Sequence, residues 1–214
     1  MTVTAKVLGY DGKNLIVMPD KPIESELIYK NIGLVEVRLD DGRTILAEQR
    51  KKAYATIRDI ADYSGHSPEF LKEWFKYEYM IRTGNEYFSL SDCSVTTARE
   101  YISILIDFCL HYGVPINEPL IERTDDINAY LYMCLYYRKC AVCGRKAEIH
   151  HITGSKIGMG VDRNKIHNLG RECISLCRIH HDEAHARERE FLEENKIYGI
   201  KLDSKLCDKL NLRR

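Results

Sequence analysis

The chain opens on short alternating runs of apolar and polar residues. Residues 2–9 and 15–18 flank Asp11-Gly12, and an Asp-Gly pair between alternating apolar runs predicts a β-hairpin. Residues 33–39, with Val35, Val37 and Leu39 alternating, lead into Asp41-Gly42 and then 44–46, which predicts a second hairpin. The period then lengthens. Ala53, Ile57, Ile60 and Ser64 recur at helical spacing up to Gly65, a residue suited to close a helix. Ser67-Pro68 reads as the N-cap and first position of a second helix, whose stripe is Phe70, Trp74, Tyr77 and Ile81 before Gly84. A third helix is expected from Thr97, with Glu100 completing a capping box, and places Tyr101, Leu105, Phe108 and Tyr112 on one face before Gly113. Aromatic stripes can stack on bases. At this spacing they are more often core, and core is the reading taken.

Periodicity fades over residues 114–126, where Pro115, Pro119 and two acidic clusters mark a linker. Residues 127–138 resume as a helix leading to Cys140. Glu148-Ile149 begins an alternating stretch that predicts a strand ending in His150-His151. Residues 186–195 read as a highly charged helix, 198–202 as a short closing strand, and the basic tail 196–214 as a solvated face before a DNA contact. The class is α+β. Two domains are expected: residues 1–126, a small β-hairpin part plus helices, and residues 127–214, which hold the candidate chemistry.

That chemistry is concentrated. Six of the eight histidines lie between Cys140 and His185. Cys140 and Cys143 form one C-x-x-C knuckle, and Cys177 and His180 a C-x-x-H partner, together a closed tetrahedral donor set for a structural zinc. The set leaves His150, His151, His181 and His185 over. His181 and His185 are four apart in a helix-forming stretch, so both face one side and can hold a second metal. His150 and His151 are neighbours on a strand and point to opposite faces, so one can bind metal while the other reaches water beside it.

Charge sharpens this division. Formal net charge is zero, yet residues 1–126 carry 15 Lys and Arg against 21 Asp and Glu, and residues 127–214 carry 17 against 11. The histidine-rich part is therefore the basic one, as approach to phosphates requires. No apolar leader or membrane-length window occurs, which makes a cytoplasmic location the expectation and cysteines metal ligands or buried thiols rather than disulfides. Cys93, Cys109, Cys134, Cys173 and Cys207 lack ligand spacing and read as small core residues. H-E-x-x-H is absent, which argues against a metallopeptidase.

Cys140-x-x-Cys143, His150-His151-Ile152, the loop Gly158-Met159-Gly160 and Leu176-Cys177-Arg178-Ile179-His180-His181-x-x-x-His185 together resemble the HNH nucleases, most closely the phage recombination nucleases of the Rap type. The resemblance implies a zinc-stapled ββα-metal domain. It makes His151 the general base that activates water. His150, His181 and His185 would bind a catalytic divalent metal, which could be Mg2+, Mn2+, Ni2+ or Zn2+, and Cys140, Cys143, Cys177 and His180 a structural Zn2+. Asn168 would be the amide that orients the base. In many HNH proteins that residue sits nearer the second knuckle, where this chain has Glu172; Asn168 lies nine residues before Cys177, and His167 could share its role. Lys156, Arg163 and Lys165 in the loop are candidate phosphate contacts, with solvated loop charges as the other reading.

Residues 49–65 and 89–114 are similar to the Orf (NinB) family of phage recombination mediators, on Gln49-Arg50-Lys51 and residues 97–104. That likeness implies binding to single-stranded DNA or to the protein that coats it. Arg50 and Lys51, with Lys52 and Arg58 nearby, are the candidate contacts there; a folded accessory part is the plainer reading. The expectation is an HNH endonuclease of phage DNA recombination in a bacterial host, acting on branched or partly single-stranded DNA. A homodimer would suit branch resolution. The competing expectation is a non-catalytic, zinc-stabilised DNA-binding mediator.

Overall fold

The computed structural model describes residues 5–20, 22, 42–116, 118–154 and 167–214. The first hairpin forms as expected: β1 (Ala5–Tyr10) pairs antiparallel with β2 (Leu15–Pro19). The first strand of the second expected hairpin, and the loop with Lys156, Arg163 and Lys165, lie outside the described residues. Thr44 does not begin a strand but makes a single bridge to Ser94. Ile45 is buried, and helix α1 (Ala47–Ser64) starts two residues later, closed by Gly65.

Helix α2 (Pro68–Thr83) begins as the sequence predicts. Ser67 Oγ accepts from the Phe70 amide, and Pro68 sits in the first turn, where its missing N–H costs nothing. The buried face is the other one. Leu71, Phe75 and Tyr79 turn inward, whereas Phe70 and Ile81 are 53% and 78% exposed and Trp74 and Tyr77 also remain at the surface. The helix has two apolar stripes, and only one can meet α1 and α3; spacing alone does not say which. Helix α3 (Val95–Tyr112) is capped by Ser94, which accepts from the Thr97 amide, so Thr97 is inside the helix rather than its cap. Glu100 accordingly forms no capping box and instead accepts from the Tyr79 hydroxyl at 3.3 Å. Tyr101 and Leu105 are fully buried, while Tyr112 at the last turn is exposed.

The expected linker is tied down. It includes a single turn, α4 (Leu120–Arg123), and the buried Arg123 guanidinium donates to Asp59, Thr56 and Glu118. Helix α5 (Ile127–Tyr137), capped by Asp126, buries Tyr130, Leu131, Cys134 and Leu135. It packs on α3 on one side and on the second sheet on the other. The hydrophobic core is therefore continuous from Ile45 and Ala53 through Leu131 to Phe191 and Leu210. The second sheet has the order β3 (Glu148–His151), β4 (Glu172–Leu176), β5 (Ile200–Lys201), all antiparallel. Helix α6 (Arg178–Glu194) follows β4 after one residue, and α7 (Ser204–Leu210) closes the chain. The basic tail is not a solvated face throughout: Leu206, Cys207 and Leu210 are buried. No helix among the described residues is long and apolar enough to cross a membrane.

Candidate active site

Among the described residues, two groups of side chains that could hold a metal gather around β3, α6 and the turn before β3. The first is Cys140, Cys143, Cys177 and His180. Its first half is a tight turn beyond α5, where the Cys140 amide donates to the Arg145 carbonyl at 2.7 Å and the Gly144 amide to the Cys140 carbonyl at 2.9 Å. Gly144 takes φ +69°, which a side chain would strain. The Tyr130 hydroxyl donates to the Ala141 carbonyl at 2.8 Å and ties the turn to α5. Its second half is the junction of β4 and α6: Cys177 is the N-cap, and His180 lies in the first turn.

Nδ1 of His180 is 3.2 Å from Cys140 Sγ and 3.4 Å from Cys177 Sγ, and the Cys143 and Cys177 sulfurs are 3.7 Å apart. A tetrahedral ion with metal–sulfur bonds of about 2.3 Å needs donors roughly 3.5–3.8 Å apart, so the two sulfurs already stand at that spacing and the imidazole would move out by a few tenths of an ångström to hold one. Burial pushes the Cys140 thiol up to about 12. Burial also opposes the Cys143 thiolate, but hydrogen bonds led by the Arg145 side chain outweigh it and lower that pKa. A cation among these sulfurs would favour the thiolate throughout.

The second group is His150, His181 and His185. His180 and His181 are adjacent on α6 and so diverge by about 100° around its axis, which sends one imidazole to each group. The three rings meet edge to face, with centroids 4.6–4.9 Å apart. His150 is 1% exposed, and its Nδ1, like that of His181, is buried without a hydrogen-bond partner. Burial holds both imidazoles below their usual pKa, with Glu188 opposing the shift at His150 and His185 adding to it at His181. Neutral rings with orphaned buried nitrogens are what a metal ion would satisfy, and the group fits one.

His151 faces the other side of β3, as strand alternation requires, and is half-buried. Its Nε2 lies 3.4 Å from Asn168 Oδ1. Asn168 is buried, and both its backbone amide and Nδ2 donate to the Arg213 carbonyl, at 2.9 and 3.2 Å. The Nδ2 bond fixes the amide's direction and turns Oδ1 to His151. The C-terminal segment, not the knuckle, holds Asn168. His167 turns its ring to the Arg214 carbonyl instead. Gly199 supports the same strand end, because a Cβ there would meet the Ile152 side chain at 2.6 Å. Compared with protein families, residues 19–213 match the one described as "Putative HNHc nuclease".

The chain belongs to the HNHc nuclease family. The match runs through the front helices as well as the histidine-rich part. Comparison with curated proteins and with solved structures finds no match.

One residue beside the imidazole group of this HNHc protein was not anticipated from the sequence. Glu188 Oε1 lies 3.0 Å from His150 Nε2, and Oε2 accepts from the Thr153 amide at 2.9 Å. Its signal was available in the spacing, since His181, His185 and Glu188 lie at i, i+4 and i+7 of one helix. Farther away, Arg50 donates to the Leu90 and Ser91 carbonyls at 2.9 and 2.8 Å, Lys52 pairs with Asp125, and Lys51 and Arg58 are exposed.

Proposed function

We propose that this HNHc protein is a metal-dependent DNA endonuclease in which His151 is the general base. The observation that supports it best is the pairing of a half-buried imidazole, oriented by Asn168, with a separate three-imidazole group on the opposite face of the same strand. With Asn168 Oδ1 accepting, the His151 proton would sit on Nε2 and the basic lone pair on Nδ1, the nitrogen that would take a proton from water. His150, His181 and His185 would hold a divalent ion, the choice among Mg2+, Mn2+, Ni2+ and Zn2+ being open to an all-imidazole group. Such an ion, when bound, would supply charge stabilisation at a phosphodiester and its departing 3′ oxygen. Cys140, Cys143, Cys177 and His180 would hold a structural zinc that links the α5 turn to the start of α6. These roles are the ones the HNH resemblance implies.

Within the same reading, residues 127–214 do the cutting and residues 1–126 select the DNA. Support comes from a cleft of about 200 Å3 lined by Arg50, Tyr54, Lys72, Lys76, Ser89, Leu90 and Ser91. Arg50, Lys51, Tyr54 and Arg58 fall within about 100° of arc on α1, so basic side chains flank an exposed ring on one face. Such a face suits a phosphate chain with an unpaired base against Tyr54. Phage recombination, as the Rap-type and Orf-type resemblances imply, is the setting we favour. The test is cleavage of branched, single-stranded and duplex DNA by the full-length protein with several divalent ions. Metal-dependent cleavage is expected. DNA binding without cleavage under any ion would replace this reading with the non-catalytic mediator.

A further inference from the structure

We infer that Glu188 is the positioning residue of the imidazole group, orienting His150 toward the bound ion and fixing the end of β3 at the same time. The inference rests on the three-imidazole metal site proposed above and extends it to a residue outside that set. His150 is a fully buried imidazole on β3. Both its nitrogens need partners in such a place. One has a partner already: Nε2 is 3.0 Å from Glu188 Oε1. A carboxylate accepts, so Nε2 carries the proton and Nδ1 carries the lone pair. Nδ1 is the buried nitrogen with no hydrogen-bond partner, in the group where the His181 and His185 rings converge. Glu188 thus selects the tautomer that can ligate an ion, and its charge makes the ring a stronger donor.

The second carboxylate oxygen gives Glu188 a further job. Oε2 accepts the Thr153 amide at 2.9 Å. Thr153 follows the strand, two residues beyond His151. One side chain therefore spans the metal-facing imidazole and the backbone just past the general base. At 12% exposure, the Glu188 side chain is shielded from water, which strengthens both bonds.

The local backbone is shaped for this contact. Helical geometry breaks at Arg187, with φ −148° and ψ 55°, immediately before Glu188. The Arg187 guanidinium bridges the break, pairing with Glu183 at 2.5 Å before it and Glu194 at 2.7 Å after it. Arg189, Glu190 and Glu193 on the same helix stay exposed, whereas Glu188 turns to β3. A charged segment that reads as a solvated helix thus contains one carboxylate with a specific position.

The test uses full-length protein titrated with cobalt(II), followed by calorimetry and by the visible bands of the ion. Those bands distinguish a thiolate site from an imidazole site. Glu188→Gln keeps the shape and an acceptor for Thr153 but removes the charge. It is expected to weaken cobalt(II) at the imidazole site by about 10–100-fold, with the thiolate bands and the thermal unfolding of the metal-free protein unchanged. A purely structural role would leave the affinity where it was. His181→Ala is the control and should abolish the imidazole site. Loss in His181→Ala with wild-type affinity in Glu188→Gln overturns the role of Glu188 alone. Wild-type affinity in both variants removes the three-imidazole site itself, and the inference with it.

Discussion

The two ligand groups share one helix and differ in what they leave open. Cys140, Cys143, Cys177 and His180 close on one another from a turn and a helix start, with four protein donors near tetrahedral spacing. His150, His181 and His185 supply three donors from the end of a strand and one helix face, and His185 is exposed. A tetrahedral ion in the first group would be fully coordinated by protein, whereas one in the second would retain a position for water or a phosphate oxygen. A single residue step, from His180 to His181, separates a group suited to holding the fold from one suited to reaction. The donors at the start of α6 are thus divided between two groups.

Variants can break that comparison. Cys143→Ser has the largest expected effect: loss of the tightly held zinc and a fall in the unfolding midpoint of at least about 10 °C, since a structural ion contributes folding free energy directly. Scanning calorimetry with metal analysis on the purified variant checks it, and an unchanged midpoint with zinc retained would make the thiolate group incidental. Outside the site, Phe75→Ala should cost about 3–5 kcal/mol because it empties a core position. Ile81→Ser on the exposed stripe should change stability by less than about 0.5 kcal/mol; denaturant titrations of the pair decide which face of α2 is core. Asn168→Ala should slow DNA cleavage by about tenfold, the low end for a partner that orients a reacting group, while cobalt(II) affinity stays at the wild-type value. The smallest effect concerns substrate choice. Tyr54→Ala and Lys72→Ala should each weaken binding of a fluorescent single-stranded oligonucleotide by roughly five- to tenfold, with nicking of plain duplex unaltered. The Lys72 carbonyl that accepts from Tyr101 survives that substitution. Equal anisotropy curves for wild type and both variants would leave the front cleft without a nucleic-acid role.

Much of this site was legible because its ligands are close in sequence or lie on one regular element. C-x-x-C, C-x-x-H and H-x-x-x-H are local spacings, and His150-His151 divides across a strand by alternation alone. The helix ends at Gly65, Gly84 and Gly113 were legible for the same reason: each takes a left-handed conformation that glycine adopts readily. Contacts made from far along the chain were not legible. Asn168 is held by the Arg213 carbonyl, forty-five residues away, and no spacing rule anticipates it. Glu188 was hidden among charges of both signs, where composition suggests only solvation. The inward face of α2 was misassigned because Phe70, Trp74, Tyr77 and Ile81 satisfy helical period as well as Leu71, Phe75 and Tyr79 do. Residues 114–126 read as a linker because their anchor, Arg123, bonds to Asp59 on a distant helix. That anchor, and the packing of α5 on α3, make substitutions in the intact chain a cleaner probe of its two parts than truncation at residue 126.

The central claim is that one strand presents a metal ligand on one face and a base on the other. Parallel measurement of cobalt(II) affinity and DNA nicking in His151→Ala and His181→Ala tests it most directly. His151→Ala is expected to bind the ion as wild type does and to lose at least about a hundredfold in nicking, the scale of general acid–base catalysis. His181→Ala is expected to lose nicking together with the ion. Wild-type nicking by highly purified His151→Ala, or loss of the ion from it, would contradict the division.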